Sequence, residues 1–96
     1  MTNPIITFGI PTYNRPSRLR YLLNSIYSQV ETNYSEFEVI ISDNSDDEKT
    51  KDLISEYYSD KTNLKYLKNI ENIGSERNIR QVFDIGTGHF TWLMPD

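Results

Sequence analysis

Short apolar runs alternate along the chain with segments in which apolar residues recur every three or four positions. The run 5–10, interrupted by Thr7 and Gly9 and closed by Pro11, is typical of a strand buried on both faces. Further strands are predicted at 37–41, 63–68 and 89–94, and the third alternates with period two, as edge strands do. Amphipathic helices are predicted between them at 16–29, 48–58 and 75–85. The apolar stripe of the first helix consists of Leu19, Leu22, Leu23, Ile26 and Val30.

This order of elements predicts an α/β protein. Because every crossover between strands is a helix, the strands should be parallel and the helices should cover both faces of the sheet. The expected fold is a Rossmann-like, three-layer α/β/α arrangement with a mainly parallel sheet of about four strands. With 96 residues, the chain makes one domain, 1–96.

Composition excludes several classes of function. Without cysteine there is no disulfide scaffold, thiolate zinc site or cysteine nucleophile, and a net charge of −4 argues against nucleic acid as a partner. No apolar run is long enough to span a membrane, and the first residues lack the basic region of a signal peptide. We therefore expect a cytoplasmic location, and the sequon at 33–35 is interpreted as chance.

Ligands of such sheets bind outside the carboxyl ends of the strands. That rule selects the segments 11–17, 43–47, 69–77 and 95–96. In the first of them Thr12 offers a hydroxyl, Tyr13 an aromatic face and Arg15 a guanidinium, between Pro11 and Pro16. These groups suit a nucleobase and its substituents, although a plain turn before a helix explains the same residues.

Asp43 comes directly after the second strand. An ionised carboxylate only accepts hydrogen bonds, so it suits a ligand N–H or hydroxyl, such as the edge of uracil, thymine or guanine or a ribose hydroxyl. The alternative is that Asp43, Asp46 or Asp47 caps the next helix. A calcium loop is disfavoured because its glycine and closing glutamate are absent.

Arg77 lies in the first turn of the third helix, just after Gly74. The start of a helix attracts anions, and a guanidinium binds two phosphate oxygens at once. Pairing of Arg77 with Glu76 or Asp43 is the alternative. The Gly-Thr-Gly segment 86–88 precedes a strand instead of following one, so NAD and FAD are disfavoured.

Four motifs in this order resemble the N-terminal half of family 2 glycosyltransferases with the GT-A fold. They are 6–15 (ITFGIPTYNR), 43–45 (DNS), 72–78 (NIGSERN) and 92–96 (WLMPD). The resemblance implies that Pro11, Thr12, Tyr13 and Asp43 hold the nucleoside of a nucleotide-sugar and that Arg77 lies beside its diphosphate. Asp96 matches the first carboxylate of a D-x-D type motif that binds Mn²⁺ or Mg²⁺.

The implied parent enzyme transfers a sugar from a nucleotide-diphosphate donor to a carbohydrate or other hydroxyl acceptor, as in polysaccharide biosynthesis, at the inner face of the membrane. The second metal-binding acid, the catalytic base and the acceptor half are not within 1–96, so we expect a nucleotide-recognition fragment that is inactive alone and binds metal weakly. Uncovered surface should favour self-association. A nucleotidyltransferase-like domain and a non-catalytic Rossmann-like binding domain are the alternatives.

Overall fold

The predicted order of strands and helices is confirmed over residues 4–29 and 36–96, which the computed structural model describes. Val30 and the sequon at 33–35 lie outside the described residues. The elements in chain order are β1 (Ile6–Thr12), α1 (Pro16–Gln29), β2 (Phe37–Asp43), α2 (Lys49–Tyr57), β3 (Leu64–Lys68), α3 (Ser75–Ile85) and β4 (Phe90–Leu93). Within this described part of the chain, no helix combines the length and the apolarity needed to cross a bilayer.

The four strands form one parallel sheet in the order β3-β2-β1-β4. The third strand is therefore an edge strand, as its alternating pattern predicts. Thr12 of β1 is in register with Asp43 of β2, and Asp43 with Lys68 of β3. The carboxyl ends of three strands consequently meet at one edge, which is the edge where the ligand site is expected.

Strand β1 continues two residues further than predicted, through Pro11 and Thr12. The carbonyl oxygen of Gly9 accepts a hydrogen bond from the Met94 nitrogen on the β4 side, and that of Thr12 accepts one from the Asn44 nitrogen on the β2 side. The backbone groups of successive residues point alternately to the two neighbouring strands, so the nitrogen of Pro11 points to the β4 side, like Gly9. The pairing with β4 ends at Gly9, before Pro11 is reached. The missing N–H of proline thus costs the sheet no hydrogen bond.

Helices cover both faces of the sheet. Helices α1 and α2 pack on one face, with Leu19, Leu23 and Ile54 buried against Val39 and Ile41 of β2. Helix α3 packs on the other face, where Val82 lies so close to β1 that a Cβ added at Gly9 would be 2.8 Å from its Cγ2 atom. This close approach explains the glycine within an otherwise apolar strand.

Strand β4 forms the outer edge of the sheet and exposes large aromatic side chains. Phe90 and Trp92 are 70% and 59% exposed. They make this edge the place where the predicted self-association would occur, and that association stays a prediction.

Glu38 is a buried carboxylate near the amino end of β2. It accepts hydrogen bonds from the Thr7 hydroxyl at 2.6 Å and from the hydroxyl and backbone nitrogen of Thr87, and Lys65 lies 3.4 Å away. Burial raises the pKa of the Glu38 carboxyl, but these hydrogen bonds and the lysine charge outweigh it, so the pKa is lowered overall. The ionised carboxylate of β2 is thus hydrogen-bonded both to β1, through Thr7, and to the α3–β4 connection, through Thr87.

We expect Glu38→Gln to lower the free energy of unfolding by about 1–3 kcal/mol at neutral pH, because an amide cannot accept all of these hydrogen bonds. A carboxyl with a lowered pKa stabilises the fold above its unfolded pKa, and this contribution disappears as the pH falls through the folded pKa. The difference between the two proteins should therefore shrink below about pH 4. Urea unfolding from pH 7 to pH 3 measures it, with exposed Glu56→Gln as the control. An equal stability of wild type and Glu38→Gln at pH 7 would contradict the assignment.

Candidate functional site

A cavity of about 310 Å³ opens at the carboxyl edge of the sheet, between the end of β1 and the start of α3. Polar groups from four separate segments reach it, and two prolines and an isoleucine complete its wall. Its lining residues are Pro11, Thr12, Tyr13, Arg15, Asn44, Asn72, Ser75, Asn78, Ile79, Pro95 and Asp96.

The loop between β1 and α1 is fixed by contacts with the loop after β2. Asn14 has a left-handed backbone, with φ at 51°, a conformation that asparagine tolerates better than most residues. Its side chain and Asp46 exchange two hydrogen bonds of 3.0 Å, its nitrogen donates to the Ser45 hydroxyl, and the Tyr13 hydroxyl donates to Asp46 at 2.9 Å. The hydrogen bonds from Asn14 and Tyr13 lower the pKa of Asp46, and the carboxylate raises the pKa of Tyr13. These contacts join the loop after β1 to the loop after β2.

Four of the six predicted nucleotide-binding residues line the cavity, namely Pro11, Thr12, Tyr13 and Arg15. The predicted metal ligand Asp96 lines it as well. Its carboxylate accepts a hydrogen bond from the Thr12 hydroxyl, and its backbone oxygen accepts one from Arg15 at 3.4 Å. Burial raises the pKa of Asp96 despite the hydrogen bond from Thr12 and the charge of Arg15.

Asp43, the fifth of these residues, lies below the cavity and does not line it. Its side chain is fully buried; one carboxylate oxygen accepts from the Ser45 nitrogen at 2.8 Å and the other from the Tyr66 hydroxyl at 2.5 Å. Burial and this hydrogen bond to Asp43 raise the pKa of Tyr66. Of the three aspartates considered for the start of α2, Asp47 accepts a hydrogen bond from the Lys49 nitrogen at 3.1 Å, whereas the N-cap residue Glu48 makes no capping hydrogen bond. Contact of Asp43 with a nucleoside stays a prediction.

Arg77, the sixth, is exposed in the first turn of α3 and does not line the cavity. Over the described residues it forms no ion pair with Glu76 or Asp43. Helix α3 begins after Gly74, which has a φ of 89°, and no side chain caps it. The start of α3 therefore presents backbone N–H groups next to the cavity-lining Ser75, and the diphosphate role of Arg77 stays a prediction.

Several lining residues were not among the predicted site residues. Four of them lie within segments that the rule on strand ends selects, namely Asn44, Asn72, Ser75 and Pro95. Within 43–47, the charge of Asp43 made it the predicted ligand-binding residue. Alternation along the chain places Asp43 on the α1/α2 side with Ile41, where it is fully buried, whereas Asn44 reaches the start of α3 and lines the cavity. Asn78 and Ile79 lie beyond the selected segments, three and four residues after Ser75 and therefore on the same face of α3.

The cavity has few of the ligands that a divalent ion requires. No group of three or more histidine, cysteine, aspartate or glutamate side chains comes together in the described parts of the chain. Asp96 contributes the only carboxylate among the lining residues. Since Mn²⁺ and Mg²⁺ need several oxygen ligands, these residues do not make a metal site by themselves.

A parallel sheet covered by helices on both faces, with a polar cavity at its carboxyl edge, defines a Rossmann-like domain. Residues 7–95 match the family model described as glycosyl transferase family 2, so the chain belongs to that family. The assignment by resemblance is thereby confirmed.

The relatives are considerably longer than this chain. It is 34% identical over 90 residues to abequosyltransferase RfbV of Salmonella typhimurium, an alignment that covers 93% of this chain and 27% of RfbV. A second relative, an uncharacterised glycosyltransferase of Methanocaldococcus jannaschii, is 28% identical over 98% of this chain and 32% of its own length. The chain thus spans between about a quarter and a third of the curated relatives it matches.

Solved glycosyltransferases have the same fold. TarS of S. aureus, residues 1–349 in complex with UDP-GlcNAc, superimposes with a TM-score of 0.80 and 29% identity, over 95% of this chain and 26% of that chain. The mannosyltransferase PcManGT from Pyrobaculum calidifontis, in complex with GDP-Man and Mn²⁺, reaches a TM-score of 0.82 at 20% identity, over 99% of this chain and 28% of its own. At 20% identity, the similarity to PcManGT shows a shared fold and nothing more.

Proposed function

We propose that this chain binds the nucleoside diphosphate part of a nucleotide-sugar, and that the whole protein transfers the sugar to a hydroxyl acceptor. The observation that carries the proposal is the cavity between the segment 11–15, at the end of β1 and the start of the next loop, and the uncapped start of α3, within a family 2 domain. The names of its relatives support it, because RfbV is an abequosyltransferase and TarS was solved with UDP-GlcNAc. A location in the cytoplasm, at the inner face of the membrane, belongs to the same proposal.

In such a transfer the acceptor oxygen forms a bond to the anomeric carbon while the bond from that carbon to the diphosphate oxygen breaks. The nucleoside diphosphate leaves with the electron pair, and the acceptor proton passes to a base. Negative charge therefore increases on the diphosphate, and fixed donors beside it lower the barrier. The residues of this chain that would supply such donors are the first backbone nitrogens of α3 and the guanidinium of Arg77.

The nucleoside would lie on the Pro11–Tyr13 side of the cavity, where the Tyr13 ring offers a stacking face and the Thr12 hydroxyl a hydrogen bond. A divalent ion, Mn²⁺ or Mg²⁺, is proposed for the whole protein with Asp96 as one of its ligands. The described residues of this chain do not complete such a site by themselves.

Calorimetric titration of the 96-residue chain with UDP, TDP, GDP, CDP and ADP tests the proposal. We expect measurable binding with UDP, TDP or GDP ahead of ADP, because uracil, thymine and guanine present a ring N–H to a carboxylate and adenine does not. Donor hydrolysis and transfer are assayed separately on the whole protein. An absence of binding by all five nucleotides, in a chain shown to be folded by circular dichroism, would refute the nucleotide site.

Arg77 should account for most of the preference of the chain for a nucleoside diphosphate over the nucleoside. We expect Arg77→Ala to lower the ratio of UDP to uridine affinity several-fold, because a charge-assisted contact to phosphate is lost. Arg80→Ala is the matched control, since Arg80 is exposed one turn further along α3. Isothermal titration with both ligands measures the ratio; if Arg77→Ala keeps the wild-type ratio, Arg77 is a surface residue.

A further inference from the structure

Three buried asparagines form a hydrogen-bonded cluster behind the cavity, which we name the amide cluster (Asn44, Asn69 and Asn78). Asn69 joins the other two, because its Nδ2 atom donates to Oδ1 of Asn44 at 2.7 Å and to Oδ1 of Asn78 at 3.2 Å. Asn44 and Asn78 line the cavity, but Asn69 does not. Any influence of Asn69 on a bound ligand therefore passes through its two neighbours.

Asn44 fixes the backbone at which α3 begins. Its Oδ1 atom also accepts from the Ile73 nitrogen at 3.2 Å, and its Nδ2 atom donates to the Gly74 carbonyl at 3.2 Å. That carbonyl in turn accepts the first helical hydrogen bond, from the Asn78 nitrogen at 3.1 Å. The position of Asn44 thus determines where the N–H groups at the start of α3 lie.

Asn78 connects the same helix to the sheet. Its Oδ1 atom accepts from the Ser42 hydroxyl at 2.5 Å, and its Nδ2 atom lies 3.5 Å from the Thr12 carbonyl, at the opposite wall of the cavity. Gln81 supports the cluster from the next turn of α3, through hydrogen bonds to Ser42 and Asn69 of 2.6 and 2.8 Å. Among the described residues no buried side-chain nitrogen or oxygen is left without a partner. A fully satisfied polar network of this kind has one preferred geometry.

We propose that Asn69 is a positioning residue that sets the separation of the two walls of the cavity, acting through Asn44 and Asn78. The ligand concerned is the nucleoside diphosphate of the proposed function, on which this inference rests. Uncharged amides suit this place, because buried carboxylates there would repel a diphosphate and buried ammonium groups would be costly without a partner. Asn69 lies at the carboxyl end of β3, where its own nitrogen is held by the Asp43 carbonyl at 2.9 Å.

Asn63 provides a matched control at the other end of the same strand. Its amide also bridges two partners, donating to the Phe37 carbonyl at 3.0 Å and accepting from the Tyr27 hydroxyl at 2.9 Å. It precedes the first residue of β3, at the end of the sheet where the strands begin, whereas the cavity lies where they end. Asn69→Ala removes three side-chain hydrogen bonds and Asn63→Ala two, and we expect only the former to disturb the cavity.

We expect Asn69→Ala to raise the Kd for UDP about fivefold or more, since the loss of buried hydrogen bonds lets the start of α3 shift. Asn63→Ala should change that Kd less than about twofold. A second measurement needs no ligand: hydrogen exchange at the Ile73 amide, whose acceptor is Asn44, should accelerate in Asn69→Ala and not in Asn63→Ala. Asn69→Ser, which keeps one donor, should give an intermediate result and serves if Asn69→Ala fails to fold.

The outcomes separate this inference from the proposed function. If the wild-type chain binds none of the nucleotides, the proposed function fails, and the exchange rate at Ile73 still decides whether Asn69 positions the start of α3. If UDP binds but Asn69→Ala binds it as tightly as wild type with Ile73 still protected, Asn69 has no positioning role. An equal loss of affinity in Asn63→Ala would also overturn the inference, since general stability would then be the cause.

Discussion

Gly88→Ala is expected to destabilise the fold by about 3 kcal/mol, because the added carbon has no room. A Cβ at this position would lie 2.7 Å from the backbone nitrogen of Thr7 and 2.8 Å from the carbonyl carbon of Ile6. Both atoms belong to the central strand β1, so they cannot move without disturbing its pairing with two neighbouring strands. The hydrogen bond of 2.9 Å from the Gly88 nitrogen to the Thr7 hydroxyl would be lost as well.

Urea unfolding followed by circular dichroism measures this loss. His89→Ala is the control, because His89 is the next residue and its side chain is exposed. We expect that control to lie within about 0.5 kcal/mol of wild type. A Gly88→Ala protein as stable as His89→Ala would mean that the connection between α3 and β4 does not pack on β1 as described.

Much of the fold could be predicted from the sequence, because it depends on local patterns. The alternation of apolar runs with helical periodicity predicts the order of elements, and that order requires parallel strands. The predicted end of β1 was wrong. A proline usually ends a strand because it has no N–H, and the sequence does not show that the nitrogen of Pro11 points to a side without a hydrogen-bonding partner. Likewise, the segment 86–88 is predicted only as a turn. Gly86 and Gly88 contact Thr7, which lies about 80 residues earlier in the chain, and no local sequence pattern predicts such contacts.

The site could be predicted at the level of segments, and less well at the level of residues. The rule on strand ends selects the edge of the sheet, and four polar or proline residues at the end of β1 and in the loop after it line the cavity there. Between Asp43 and Asn44, sequence reasoning chose the charged residue, because carboxylates suggest chemistry. Which of two adjacent residues reaches the cavity depends on what packs around each of them, and Asp43 is covered whereas Asn44 is not. The part played by Asn69 depends on contacts with residues far along the chain.

Asp43→Asn is expected to weaken UDP binding tenfold or more. The carboxylate already accepts one hydrogen bond at each oxygen, from Ser45 and from Tyr66. Each oxygen has a second lone pair, so the Asp43 carboxylate can still accept a hydrogen bond from a ring N–H of a base that extends from the cavity to Asp43. An amide has a single acceptor oxygen, and its NH₂ group would face one of the existing donors. The free energy of unfolding should also fall by about 1–3 kcal/mol, because a buried donor loses its partner.

Tyr66→Phe separates recognition of the base from this structural loss. It removes the hydrogen bond of 2.5 Å between Tyr66 and Asp43 but keeps the carboxylate. If Asp43 accepts the base N–H, Asp43→Asn should abolish the preference for UDP over ADP, whereas Tyr66→Phe should lower stability and keep that preference. Titration of both variants with both nucleotides gives the four dissociation constants required. If Asp43→Asn retained the wild-type preference, Asp43 would only support the end of β2, and recognition of the base would fall to the amides and hydroxyls that line the cavity.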